Sequence, residues 1–65
     1  MLIRMETIRN SNEVLVIDEL GKYIGALENE HVFYNCINTD LEPLEEDGYV
    51  FYHTNKNELN QLLLK

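Results

Sequence analysis

The chain has 65 residues, with 12 acidic side chains against 5 basic ones and a formal net charge of -7 when both histidines are neutral. Its hydrophobic fraction of 45% is ordinary for a globular protein, which argues against disorder. No apolar run approaches the roughly 18 residues of a membrane span, and none has the pattern of a signal peptide. We therefore expect residues 1–65 to form one small domain. The Lys and Arg residues are too scattered to predict direct binding to nucleic acid.

The small size of the chain limits what it can do. A domain near 60 residues buries only about 60% of the surface of its unfolded chain, so a deep catalytic pocket is difficult to build. We therefore expect a protein that is not an enzyme. Domains of this size often gain stability by associating with a copy or with a partner. The single Cys36 cannot close an internal disulfide, which is typical of the reducing cytoplasm.

Three β-strands are predicted in the first half of the chain. Residues 2–8 alternate weakly between apolar and polar side chains, as in a strand with one solvated face. Residues 14–17 are an unbroken apolar and mostly β-branched run, which favours a strand in the middle of a sheet. Gly21 marks a turn before a further apolar segment, so residues 13–28 are predicted to form a hairpin.

Two further strands and a helix are predicted in the second half. Residues 32–37 and 49–53 are rich in aromatic and β-branched side chains, which favour strands, and residues 38–48 indicate an acidic loop between them. Asn55, with Glu58 three residues later, resembles a capping box and predicts the start of a helix. The expected fold class is α+β: a small antiparallel sheet or part-open barrel of about five strands, followed by one C-terminal helix.

The negative charge is concentrated in the middle of the chain. Between Tyr23 and Asn55 there is no Lys or Arg, whereas seven acidic residues occur there: Glu28, Glu30, Asp40, Glu42, Glu45, Glu46 and Asp47. Carboxylates crowded into one region can steer a basic partner towards it. An acidic loop can also serve only solubility, and the sequence leaves both interpretations open. Residues 40–47 lack the ligand spacing and central Gly of a calcium loop.

The side chains that could bind a metal or act in catalysis do not match a known motif. A structural zinc site needs four ligands, usually in close pairs, whereas His31, Cys36 and His53 are isolated from one another in the sequence. A Cys36 nucleophile would need a nearby general base and an oxyanion hole, so a small buried core residue is the favoured interpretation. We therefore predict no catalytic residue, metal or cofactor.

Six aromatic residues occur in the chain: Tyr23, Phe33, Tyr34, Tyr49, Phe51 and Tyr52. Aromatic rings on a sheet can stack on the bases of single-stranded nucleic acids, but such sites also carry Lys and Arg, which this stretch lacks. Core packing and contacts with protein are therefore the favoured roles of these rings.

These patterns favour a non-enzymatic protein-interaction module, such as a regulator or inhibitor that binds a basic protein surface. Eight residues are predicted to contact the partner: Asp40, Glu42, Glu45, Glu46, Asp47, Tyr49, Phe51 and Leu62. One alternative is a structural homo-oligomer without a separate partner. A weaker alternative is an acidic mimic of nucleic acid that occupies a nucleic-acid-binding protein.

Overall fold

The computed structural model describes residues 1–64 as a five-stranded sheet with two helices. In chain order the elements are β1 (Leu2–Thr7), β2 (Val14–Asp18), β3 (Tyr23–Leu27), α1 (Glu30–Cys36), β4 (Leu44–Glu46), β5 (Tyr49–His53) and α2 (Lys56–Leu62). All neighbouring strands pair antiparallel in the order β3-β2-β1-β5-β4, which makes β1 the central strand. The α+β class and the five-stranded antiparallel sheet are thus confirmed, whereas the prediction of a single helix is wrong.

The segment predicted as the fourth strand, residues 32–37, lies mostly in helix α1. Asn29 explains the difference, because its side chain accepts a hydrogen bond from the backbone N–H of Val32 at 3.0 Å and so caps the helix. Phe33 and Cys36 are three residues apart and both buried, as expected for one face of a helix. The aromatic and β-branched content that favoured a strand is a weak preference, which packing overrides here.

Residues 38–48, predicted as an acidic loop, contain the strand that residues 32–37 were expected to supply. The short strand β4 pairs with β5, and Glu46 lies opposite Tyr49 next to the connecting turn. Asp47 and Gly48 form that turn with φ values of 53° and 84°, and a two-residue type I′ turn requires positive φ at both positions. The sheet therefore has the predicted number of strands, but a different segment supplies one of them.

The hairpin predicted over residues 13–28 and the C-terminal helix are confirmed. Gly21 has a φ of 82° in the β2–β3 turn. The side chain of Asn55 accepts hydrogen bonds from the backbone N–H groups of Asn57 and Glu58, at 2.9 and 3.2 Å, and thereby caps α2. A helix of seven residues is too short to be stable alone, so its packing holds it in place. Within residues 1–64, no helix has the length and apolar character needed to cross a membrane.

Both helices contribute to a core on one face of the sheet. Seven buried side chains form this cluster: Ile3, Val14, Val16, Leu27, Phe33, Cys36 and Leu59. Phe33 and Cys36 come from α1 and Leu59 from α2, whereas the other four lie on the first three strands. We call this side of the sheet the helix-covered face and the opposite side the helix-free face.

Candidate partner-binding surface

The helix-free face carries a second set of side chains that alternate with those of the core. Ile3 and Val16 belong to the core cluster and Tyr52 packs against it, so Arg4, Ile17 and Phe51 point to the other side of their strands. Although no helix among residues 1–64 covers them, Ile17 and Phe51 are only 8% and 5% exposed. Neighbouring strands and turns must therefore shield these two side chains.

Arg4 occupies the central strand on this face and is held by two interactions. Its guanidinium carbon lies 4.0 Å from the centroid of the Tyr49 ring, a cation–π geometry. Its Nη1 donates to Oε1 of Glu6 at 2.6 Å, and the Arg4 side chain is 13% exposed. This charge-assisted hydrogen bond is the one ion pair within residues 1–64. The face thus already binds one guanidinium between a ring and a carboxylate.

Two acidic turns meet beside Arg4 around a depression of about 200 Å³. Besides Arg4, the side chains that matter for its chemistry are those of Asp18, Glu19, Glu46, Asp47, Tyr49 and Phe51. We call this site the acidic depression. Its volume is below the roughly 300 Å³ at which small-molecule pockets begin, so it has room for a side chain rather than for a metabolite.

The acidic residues of the depression differ in whether they already have partners within the fold. Oδ1 of Asp18 accepts hydrogen bonds from the backbone N–H groups of Leu20 and Lys22, at 2.9 and 2.8 Å, and so stabilises the β2–β3 turn. Glu19, Glu46 and Asp47 are exposed and form no ion pair with any residue of the described part of the chain. Their charge is therefore available to a partner.

Four of the eight residues predicted to contact a partner line the acidic depression. These are Glu46, Asp47, Tyr49 and Phe51. Phe51 is buried and forms the floor, whereas the side chain of Tyr49 is 47% exposed. Glu45 lies between two residues of β4 that face the helix-free side, so its side chain points the other way.

The other predicted contact residues lie elsewhere. Asp40 and Glu42 are exposed in the segment between α1 and β4, outside the lining of the acidic depression. Leu62 is 43% exposed on α2, which packs on the helix-covered face. The predicted residues therefore do not form one continuous surface.

Asp18 and Glu19 also belong to this site, although neither is among the residues predicted to contact a partner. They are far in sequence from the acidic segment 40–47, and the fold brings them to it. The signal that could have found them is the turn chemistry, because Asp-Glu-Leu-Gly and Asp-Gly both mark hairpins. Even with both hairpins assigned, their meeting beside Arg4 depends on the order of the strands in the sheet.

Cys36 is a core residue, as predicted, although it lies in a helix rather than in a strand. Burial raises the pKa of its thiol, and Sγ donates to the carbonyl oxygen of Phe33 at 3.0 Å. A raised pKa keeps the thiol protonated, which is the opposite of what activates a cysteine nucleophile. His31 is exposed on α1 and His53 is half-buried on β5. Within residues 1–64, no three His, Cys, Asp or Glu side chains are placed to hold a metal ion.

A wider groove of about 500 Å³ lies between the end of α1 and the start of α2. Some of the polar groups that line it already have partners in the fold. Thr54 Oγ1 donates to the carbonyl oxygen of Cys36 at 2.7 Å, and the amine of Met1 donates to the carbonyl oxygen of Thr54 at 3.1 Å. Asn55 caps α2. These groups join the ends of the elements to one another, so we assign the groove a structural role.

Comparison with known proteins identifies no relative of this chain. No protein-family model, no curated protein and no solved structure matches it. The function must therefore be inferred from the charges, the exposed side chains and the geometry described above.

Proposed function

We propose that this chain is a small non-enzymatic module of the cytosol that binds a basic surface of a protein partner, as a regulator or inhibitor does. The observation that carries the proposal is the exposed acidic surface around β4. Glu42, Glu45 and Glu46 are exposed and have no ion-pair partner within residues 1–64. Exposed apolar side chains of Leu44 and Tyr49 lie beside them. Charge with adjacent apolar area is the composition of a protein interface.

The physical role of these carboxylates is to attract and orient the partner. The stretch between Tyr23 and Asn55 has no Lys or Arg, so no cation of that stretch neutralises its field. At 0.1 M salt this field is screened beyond about 10 Å, so it acts mainly during the approach and at the rim of the contact. The binding that we propose is therefore fast and sensitive to salt, and buried apolar area supplies much of its affinity.

The test compares two variants that lose the same amount of negative charge. The site variant combines Glu42→Gln, Glu45→Gln and Glu46→Gln. The control variant combines Glu13→Gln, Glu28→Gln and Glu30→Gln, at positions that are exposed and lie away from β4. Each variant and the wild type are used as bait in a cell lysate at low and moderate salt. We expect the wild type and the control to retain the same protein and the site variant to lose it.

Equal capture by all three proteins would contradict the proposal, because it would show that the acids around β4 are not the recognition element. A native mass above that of the monomer, with no captured protein, would favour the structural homo-oligomer instead. Capture of a nucleic-acid-binding protein that added DNA displaces would favour the acidic mimic.

A further inference from the structure

We propose that the helix-free face docks a basic segment of a partner protein, which places one Arg or Lys side chain in the acidic depression. This inference rests on the proposed function and gives it a location and a chemistry. It moves the centre of recognition from segment 40–47 to the site where the two acidic turns meet. The turn at Asp18 and Glu19 then takes part as well.

The helix-free face has apolar side chains where a solvated sheet face normally has polar ones. Ile17 and Phe51 are apolar residues of this face that neighbouring strands and turns shield, so the accessible apolar area belongs to the side chains around them. Tyr49, Leu44 and Tyr23 are 47%, 40% and 57% exposed. Apolar area of this kind, rimmed by charge, marks a site of contact with another protein.

The charges around the acidic depression indicate the charge of its occupant. Three exposed acidic residues, Glu19, Glu46 and Asp47, line the acidic depression, and the one cation among its lining residues, Arg4, is engaged by Tyr49 and Glu6. A second copy of this chain would bring another net charge of -7 towards them, and like charges across an interface oppose binding. Charge complementarity therefore favours a basic partner over self-association.

Arg4 itself shows how this face holds a guanidinium. A ring at 4.0 Å and a carboxylate oxygen at 2.6 Å surround it. The acidic depression has exposed Glu19, Glu46 and Asp47 beside the partly exposed ring of Tyr49, in a volume of about 200 Å³. One long basic side chain matches this volume and this chemistry.

The edges of the sheet are less suitable docking sites for a partner than the helix-free face. The outer strand β4 has only three residues and follows Pro43, which has no backbone N–H to donate. At the opposite edge, the backbone N–H of Leu64 donates to the carbonyl oxygen of Ala26 in β3 at 2.8 Å. A partner strand would therefore find one edge too short and the other partly occupied, so the face is the larger docking site.

The test is a titration of the isotope-labelled chain with a blocked octapeptide of alternating Arg and Ala, followed by the backbone amide signals. The same peptide with citrulline in place of Arg is the control, because citrulline keeps the shape and removes the charge. We expect signals of residues 17–21 and 46–51 to shift with the Arg peptide and to stay in place with the citrulline peptide. Glu19→Gln should weaken binding about threefold, and the exposed Glu13→Gln should leave it unchanged.

The outcomes separate this inference from the proposed function. Shifts confined to residues 40–45, with no effect of Glu19→Gln, would overturn the inference and leave the proposed function standing. Shifts spread over all acidic residues, or equal losses with Glu13→Gln and Glu19→Gln, would show non-specific attraction and overturn both. The absence of any shift at millimolar peptide would overturn the inference. A concentration-dependent dimer whose contacts cover Tyr49 would also overturn it, because the face would then be a self-association surface.

Discussion

The two faces of the sheet differ in how their apolar side chains are used. On the helix-covered face, Ile3 and Val16 of the strands and Phe33 of α1 are fully buried and belong to one cluster. On the helix-free face, buried Phe51 lies beside half-exposed Tyr49, and the charged Arg4 lies between the strands' apolar side chains. Close packing is what stabilises a small domain, whereas exposed apolar and charged groups are what a partner can contact. We therefore expect the first face to determine stability, and the second is the face that we propose for recognition.

The largest expected effect is on the helix-covered face. Phe33→Ala removes a fully buried ring that packs edge-to-face against Tyr34 and Tyr52, at centroid distances of 5.4 and 5.9 Å. Loss of a buried Phe costs about 3–5 kcal/mol, which is comparable to the whole stability of a small domain. We expect the variant to be largely unfolded, as measured by urea denaturation and circular dichroism.

Tyr49→Ala on the other face is the comparison for this variant. It removes a half-exposed ring and its contact with Arg4, for which we expect a cost of about 1 kcal/mol or less. If Tyr49→Ala were as destabilising as Phe33→Ala, the helix-free face would be part of the core, and the division between the two faces would be wrong.

The sequence predicts the helix-covered face better than the helix-free one, and the reason is physical. The unbroken, mostly β-branched run of residues 14–17 and the cap at Asn55 are local signals, and the strand and helix that they predict are confirmed. Two further local signals are present in the sequence: Asn29 can cap a helix, and Asp47-Gly48 favours a two-residue hairpin turn. These two account for the missed helix and the missed strand.

The acidic depression could not be predicted in this way. Its two turns belong to hairpins that are not neighbours in the sequence, and they meet only because β1 joins β2 on one side and β5 on the other. Strand order is a property of the whole packed domain, which one sequence does not encode in any short pattern. Half of the predicted contact residues line the site because a single hairpin supplies them.

The second prediction concerns a buried hydrogen bond at the end of the core. Thr54 is 6% exposed, and its hydroxyl donates to the carbonyl oxygen of Cys36 at 2.7 Å. Thr54→Val keeps the shape and leaves that carbonyl oxygen without this donor, so we expect a loss of about 1–2 kcal/mol in the free energy of unfolding. Thr54→Ser keeps the hydroxyl and is the control. Equal losses in the two variants would show that the methyl group matters, not the hydrogen bond.

The third prediction concerns the segment that follows α2 and packs on β3. A Cβ atom at Gly25 would lie 3.0 Å from Cδ2 of Leu63, so Gly25→Val forces that side chain to move. We expect a cost of about 1 kcal/mol, measured by urea denaturation. In the double variant with Leu63→Ala, the space that the smaller side chain leaves should accommodate Val, so the double variant should lose less than the sum of the single ones. Additive losses would show that the two residues do not contact each other in solution.

The smallest expected effect has the opposite sign and concerns the acidic residues on and before β4, which we propose to contact the partner. Glu42→Gln, Glu45→Gln and Glu46→Gln together reduce the net charge from -7 to -4 by removing three charges, without breaking an ion pair among the described residues. Self-repulsion in the folded state decreases, so thermal unfolding at low salt should show a gain below about 0.5 kcal/mol, which added salt abolishes. If these three carboxylates stabilised the fold, the variant would show a loss of stability instead. If the triple variant were less stable at low salt, these carboxylates would support the fold, and the assignment of recognition to their surface would lose its basis.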